Sequence, residues 1–129
     1  MAFSLSLEEG TFLVKLARKT METFVTSRSK TSVPPRTPSK LMTKCGVFVT
    51  LERITDYSQE RELRGCIGRP LPDSPLVEAT IDSAIDSCSE DPRFVPVRPP
   101  ELPKIIVEVS VLTPPELITV DDPKKYPTK

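Results

Sequence analysis

Histidine is absent from this chain of 129 residues. Without it, a single-chain Ser-His-Asp triad, a Cys-His dyad and a His-ligated zinc site are excluded. The three cysteines form no Cys-x-x-Cys pair, and their spacings of 21 and 22 residues match no common zinc pattern. No metal site is predicted. The odd number of thiols favours a reducing, intracellular setting over a disulfide framework.

A surplus of positive charge is also lacking, since 18 basic residues balance 18 acidic ones. Nucleic acid is therefore disfavoured as the primary ligand, because proteins that grip a phosphate backbone usually carry a clear positive excess. No apolar run approaches the ~20 residues of a membrane-spanning helix, and residues 1–6 lack the regions of a signal peptide. We expect a cytoplasmic protein, or a nuclear one in a eukaryote, without a membrane partner.

Two helices are predicted from apolar spacing and from residues that begin helices. Ser6 and Glu9 fit a capping box at the start of a helix from about Leu7 to Val25. Ser74 and Pro75 fit an N-cap and first helical position of a second helix. That helix has one apolar stripe, formed by Val77, Ile81, Ala84, Ile85 and Cys88. Cys88 on this stripe is expected to be a buried, unreactive thiol.

Three strands are predicted from β-branched and alternating segments. Gly46–Leu51 indicates a strand, and Leu63–Gly68 indicates its return partner in a hairpin. Ile105–Leu112 is the clearest strand of the chain. Helix, strand, strand, helix and strand follow one another without regular βαβ alternation. The sequence therefore predicts an α+β fold with a mostly antiparallel sheet flanked by helices.

Two charged segments accompany these elements. Residues 26–45 form a basic loop rich in Pro, Ser and Thr, which is either an arm for an anionic partner or a solvated connection. The face of the second helix opposite its apolar stripe is acidic. Such a face attracts a basic partner or a metal, or is simply the solvated side of an amphipathic helix.

The segment Leu63–Gly68 is the candidate functional site. In an extended segment side chains alternate, so Leu63 and Ile67 would point to one face while Arg64 and Cys66 share the other. A guanidinium beside a thiol favours the thiolate, so Cys66 is a candidate nucleophile or redox thiol and Arg64 its stabiliser. Gly65 and Gly68 would let a ligand or another backbone approach closely.

Four motifs resemble the signature of the AMMECR family. They are Gly46–Leu51, Leu63–Gly68, Asp91–Phe94 with the later Glu101-Leu102, and Val109–Glu116. The similarity runs from about Ser6 to Tyr126, as one domain over residues 1–129. Family members continue with a further strand and a final helix, so the resemblance implies a domain that lacks the family's last third.

The resemblance implies an α+β domain whose biochemical activity is unsettled and whose cofactor, if any, is unknown. It also implies MEMO-type and radical-SAM-type proteins as partners, because prokaryotic members are associated with both. The hexapeptide Leu63–Gly68 is the hallmark of the family and its suggested site. Asp91 and Arg93, in a second motif, would complete an anion or substrate pocket.

Two function classes stay open at this point. The domain is either an enzyme component that uses Cys66, or a non-catalytic binding module that uses Leu63–Gly68 as part of a groove. The absence of histidine weighs against the first class, since it leaves no obvious general base. In the simplest structural alternative, Cys66 packs as a small residue, the glycines permit tight packing, and Arg64 pairs with a carboxylate.

Overall fold

A computed structural model describes residues 4–55 and 58–112 of the chain. Within these residues lie two α-helices, α1 and α2, and three strands, β1 to β3. Two short 3₁₀ helices connect them. Their bounds are α1 Leu7–Ser27, a 3₁₀ helix Ser39–Met42, β1 Gly46–Ile54, β2 Arg61–Arg69, α2 Leu76–Ser89, a 3₁₀ helix Pro99–Lys104 and β3 Ile105–Leu112. The part of the predicted Val109–Glu116 motif beyond Leu112 lies outside the described residues.

The capping box predicted for α1 is confirmed. The Ser6 hydroxyl accepts a hydrogen bond from Glu9 N–H at 3.1 Å, and Glu9 accepts one from Ser6 N–H at 2.7 Å. The helix runs two residues past the predicted end, to Ser27, and stops at Arg28, whose φ of 58° is left-handed. Helix α2 begins later than predicted. Ser74 is not its cap; Pro75 occupies that position without a side-chain hydrogen bond.

The sheet is antiparallel throughout, with the order β2-β1-β3. The predicted hairpin is confirmed as β1 and β2, and β3 lies on the other side of β1. Both helices pack on one face of this sheet, where Val47, Val49 and Leu51 of β1 are completely buried. The predicted α+β fold with an antiparallel sheet is therefore confirmed. The helix layer covers β3 less completely, since Val107, Val109 and Val111 are only half-buried.

The opposite side of the sheet is called the open face here, because no described helix or strand packs on it. Alternation in β1 and the pairing of its neighbours assign residues of all three strands to this face, and those in the middle of the sheet matter here. They are Phe48, Thr50, Glu52, Leu63, Cys66, Gly68, Ile106, Glu108 and Ser110. The open face thus carries the thiol of the candidate site.

The basic loop and the acidic helix face contact one another. Lys30 forms an ion pair of 2.8 Å with Asp82 on α2, and Arg69 of β2 pairs with Asp86 at 2.8 Å. Leu41, within the loop, is fully buried in the core. Part of the charge on each segment is therefore neutralised inside the domain. No helix in the described ranges is long and apolar enough to span a bilayer.

Candidate functional site

A β-bulge in β2 changes which residues of the hexapeptide share a face. Leu51 lies opposite Gly65, but the next residue, Glu52, lies opposite Leu63, so Arg64 is an extra residue without a partner in β1. Leu63 consequently lies on the open face with Cys66. The prediction that Leu63 and Ile67 share one face, and Arg64 and Cys66 the other, is wrong because strict alternation does not survive a bulge.

Arg64 is buried, with a side chain only 8% exposed, and all its donor nitrogens are occupied. Its Nε and Nη2 donate to the two carboxylate oxygens of Glu101 at 2.8 and 3.0 Å. Its Nη1 and Nη2 also donate to the backbone oxygens of Val95 and Pro96 at 2.8 and 3.3 Å. Arg64 therefore fastens the segment after α2 to the outer side of β2. These hydrogen bonds go to Glu101 and to the backbone after α2, and none of them goes to the Cys66 thiol.

The electrostatics of Glu101 agree with this structural role. Burial alone would raise its pKa. The hydrogen bonds from Arg64 and the Arg98 N–H, and the charges of Arg64 and Arg53, outweigh burial and hold the pKa of Glu101 below its usual range. Glu101 thus stays ionised and balances the buried guanidinium of Arg64.

Asp91 is the centre of a second cluster, next to Cys66. Its carboxylate is 2% exposed and accepts hydrogen bonds from the backbone N–H groups of Cys66 and Arg93, each at 3.0 Å. Arg93 Nε and Nη2 donate to the same carboxylate at 3.0 and 2.7 Å. The bond from Arg93 is the main reason why the pKa of Asp91 lies well below its usual range, against the opposing effect of burial.

Arg93 is bound to Asp91 through Nε and Nη2, while the rest of its guanidinium is open to solvent. Its side chain is 54% exposed, and Nη1 donates no hydrogen bond to any residue that the structure describes. Nη2 also lies 3.3 Å from the backbone oxygen of Cys66. The hydrogen bond to Asp91 raises the pKa of Arg93 against the effect of burial, and the charges of Asp91 and Cys66 raise it further. The arginine next to Cys66 is therefore Arg93, and not Arg64.

Cys66 is half-buried on the open face, and its Sγ lies 3.2 Å from Thr50 Oγ1 of β1, a contact in which either atom can donate. Sequence reasoning missed Thr50, although the predicted hairpin contains it, because the contact depends on the register of the two strands. The other two thiols are buried in the core. The predicted burial of Cys88 is confirmed, and burial raises the pKa of its thiol to about 11, which disfavours the reactive thiolate.

The two glycines predicted as binding residues lie where other parts of the chain pack closely. A Cβ atom at Gly65 would overlap the backbone oxygen of Ser87 in α2, and one at Gly68 would overlap the backbone of β1 at Val47. Ser87 was not anticipated either. Its hydroxyl accepts from Ile67 N–H at 2.9 Å and lies 2.7 Å from the oxygen of Val49, so it links α2 to both strands.

A groove of about 430 Å³ adjoins this cluster. Its apolar walls include Leu63, Phe94 and Val95, and Arg93 also lines it. Leu63 and Val95 are 41% and 73% exposed, so the groove presents apolar side chains to solvent. Among residues 4–55 and 58–112, no group of three or more His, Cys, Asp or Glu could hold a metal ion.

The depressed pKa of Asp91 makes stability sensitive to acid. The carboxyl group of Asp91 binds a proton less readily in the folded protein than in the unfolded chain. Its contribution to the free energy of unfolding is therefore complete above about pH 4 and is lost as the pH falls. Replacing Asp91 with Asn is expected to lower the free energy of unfolding at neutral pH and to flatten its decline in acid. Urea unfolding at several pH values measures both.

Asp73→Asn is the control for this measurement, since Asp73 is exposed. It should leave the acid dependence of the free energy of unfolding as in the original chain. An equally steep decline in Asp91→Asn and in the original chain would contradict the role given to Asp91.

Comparison with known proteins places these residues in a shared domain. The AMMECR1 family profile matches residues 14–127, a range that includes Thr50, Cys66, Asp91 and Arg93. Protein MK0488 of Methanopyrus kandleri is 51% identical over 130 residues, which cover 100% of this chain and 60% of that protein. A Thermococcus gammatolerans protein is 55% identical over 122 residues, or 95% of this chain and 58% of that protein.

A crystal structure supports the same relationship. The uncharacterized protein PH0010 of Pyrococcus horikoshii superposes with a TM-score of 0.80 at 50% identity, over 87% of this chain and 55% of that one. The chain thus spans roughly three fifths of the length of the relatives it matches. From the extent of the profile match and the identities to these relatives, the chain belongs to the AMMECR1 family.

Proposed function

We propose that this domain binds an anionic group at Arg93 and brings the ligand against the thiol of Cys66, which acts as a nucleophile. One observation carries the proposal: Asp91 grips the guanidinium of Arg93 and the backbone of Cys66 at once. Asp91 occupies the Nε and Nη2 side of this guanidinium, and the remaining N–H donors of an arginine bind carboxylate or phosphate oxygens well. Because Nη1 is unused among the described residues, Arg93 has donors available for such a group.

Thr50 supports the same chemistry. A hydroxyl 3.2 Å from Sγ can donate a hydrogen bond to the thiolate, and the nearby charge of Arg93 attracts it. The thiolate is the reactive form of cysteine. Thr50 and Arg93, and not Arg64, are therefore the polar side chains beside the thiol in the proposed site.

The test compares two alkylating reagents that differ in charge. Iodoacetate is anionic and iodoacetamide is neutral, so an anion site beside Cys66 should raise the ratio of their rates. Replacing Arg93 with Gln is expected to lower that ratio about fivefold, which corresponds to the roughly 1 kcal/mol of one charge pair at 4 Å in water. Mass spectrometry of the labelled cysteine measures both rates.

Arg69→Gln is a matched control, because Arg69 lies on β2 like Cys66 and pairs with a carboxylate like Arg93, at 2.8 Å from Asp86. It should leave the ratio unchanged. Arg93→Lys keeps the charge if the Gln variant folds poorly, and should retain part of the preference. Cys45 and Cys88 should stay unlabelled until the protein is denatured, since both are buried. An unreactive Cys66, or an unchanged ratio in both Arg93 variants, would overturn the proposal.

The groove favours a second function, that of a non-catalytic binding module. Exposed apolar side chains at Leu63 and Val95 suit a protein partner better than solvent. MEMO-type and radical-SAM-type proteins are the partners that the family resemblance predicts. With a MEMO-type protein as bait, Leu63→Glu should abolish capture while Cys66→Ser leaves it intact. Equal capture by the Leu63 variant and the original chain would count against the groove.

A further inference from the structure

Three polar side chains form a row across the open face. Thr50 of β1 lies opposite Cys66 of β2 on one side and opposite Glu108 of β3 on the other. Directly opposed residues in an antiparallel pair have Cβ atoms about 4.5–5.5 Å apart. Sγ of Cys66 already contacts Oγ1 of Thr50 at 3.2 Å. A thiol, a hydroxyl and a carboxylate are therefore neighbours in that order.

Glu108 is available for a role in this row. It is exposed, and it makes no hydrogen bond or ion pair with any residue in the described ranges. The other acidic groups near Cys66 are engaged: Glu52 pairs with Arg61 at 3.5 Å, and Asp91 is held by Arg93. Arg93 is the nearby cation. The carboxylate without a partner is thus the one in line with Thr50 and Cys66.

We propose that Glu108 is the general base for Cys66 and acts through the hydroxyl of Thr50. This inference rests on the proposed function, in which Cys66 is a nucleophile. As sulfur attacks a carbon electrophile, its S–H bond breaks and the proton passes to the Thr50 oxygen. The Thr50 hydroxyl proton passes to the Glu108 carboxylate. A sulfur–carbon bond forms, the leaving group departs with its electron pair, and Glu108 ends protonated.

The row gives Cys66 a general base although the chain contains no histidine. A base must reach the proton directly or through one intermediary, and catalytic hydrogen bonds often tighten only when a ligand is bound. Glu108 lies opposite Thr50 without a hydrogen bond to it, so its side chain has to turn toward the Thr50 hydroxyl to receive the proton. The thiol can donate to Oγ1 while the hydroxyl proton points across the sheet toward β3. The row thus supplies both a path for the proton and a group to receive it.

The test uses neutral iodoacetamide, which Arg93 should not attract, and follows alkylation of Cys66 from about pH 6 to pH 9 in the intact chain. In the reaction, iodide leaves and the proton goes to the base. Glu108→Gln and Thr50→Val are each expected to slow the reaction near pH 7 at least about threefold, and the double variant no further. The ratio of the alkylation rates in H₂O and D₂O should also change. In both variants it should fall toward the ratio measured for a cysteine peptide, because the proton relay is lost.

A faster or unchanged rate in the Glu108 variant would contradict the inference. If Glu108 were merely a nearby negative charge that repels the thiolate, Glu108→Gln would speed the reaction, and either that outcome or an unchanged rate overturns the inference. Glu78→Gln is the matched control, because Glu78 is exposed on α2, and it should leave the rate unchanged. Glu108→Asp should retain part of the rate. An unreactive Cys66 would refute the proposed function itself, whereas a reactive Cys66 with unaltered variants would refute only the role of Glu108.

Discussion

Replacing Arg64 with methionine is expected to lower the free energy of unfolding by about 3–5 kcal/mol. Methionine retains the apolar stem of the side chain but removes every donor. The carboxylate of Glu101 would then keep its charge in a poorly solvated site, and the oxygens of Val95 and Pro96 would lose their partners. Chemical unfolding followed by circular dichroism measures the loss.

A double-mutant cycle separates the ion pair from the other contacts. If Arg64 and Glu101 form the coupled pair described above, Arg64→Met combined with Glu101→Gln should cost less than the sum of the two single changes. Arg61→Met is the control, since the Arg61 side chain is 56% exposed and its pair with Glu52 is long, at 3.5 Å. That change should be nearly neutral. Additive costs at positions 64 and 101 would contradict the coupling.

Replacing Gly65 with alanine should also lower the free energy of unfolding strongly, by about 3 kcal/mol or more. The added methyl group would overlap the Ser87 backbone oxygen, and a helix backbone cannot yield as a side chain can. Relief requires α2 to move away from β2, which also weakens the hydrogen bonds by which Ser87 links α2 to β1 and β2. The thermal midpoint and the unfolding free energy both report this loss.

Gly10→Ala is the matched control for Gly65→Ala, because it adds the same methyl group in α1 with no atom within 4 Å of it. Alanine favours the helical conformation, so this change should stabilise the protein by roughly 0.5–1 kcal/mol. The two substitutions are therefore expected to change the free energy of unfolding in opposite directions. A Gly65→Ala protein as stable as the original chain would show that α2 does not press on β2 as described.

The fold was largely predictable because its signals are local. The capping residues Ser6 and Glu9, the apolar spacing in the two helices and the alternation in Ile105–Leu112 each predict an element from a few adjacent residues. The start of α2 was misplaced by one position, since Pro75 satisfies the backbone requirement without a polar side chain. Such a shift cannot be read from residue preferences alone.

The site was less predictable because it depends on contacts between distant residues. Cys66, Asp91 and Arg93 were identified from the motifs, and the structure brings them together. The prediction that Arg64 shares a face with Cys66 was wrong, because one extra residue in β2 reverses the alternation of side chains on which it depended. Thr50 and Glu108 were overlooked because only the register across three strands places them beside the thiol.

The fastening of the chain after α2 has a consequence for the sheet as a whole. At β2, Asp91 and Arg93 occupy the N–H and C=O of Cys66, and Arg64 ties down the segment that follows. At β3, no described strand pairs with the outer side. A strand edge without a neighbour is a template for further pairing. The two margins of the described sheet therefore differ: β2 is covered at Cys66, and β3 is the edge at which an additional strand, from the same polypeptide or another, can pair more readily.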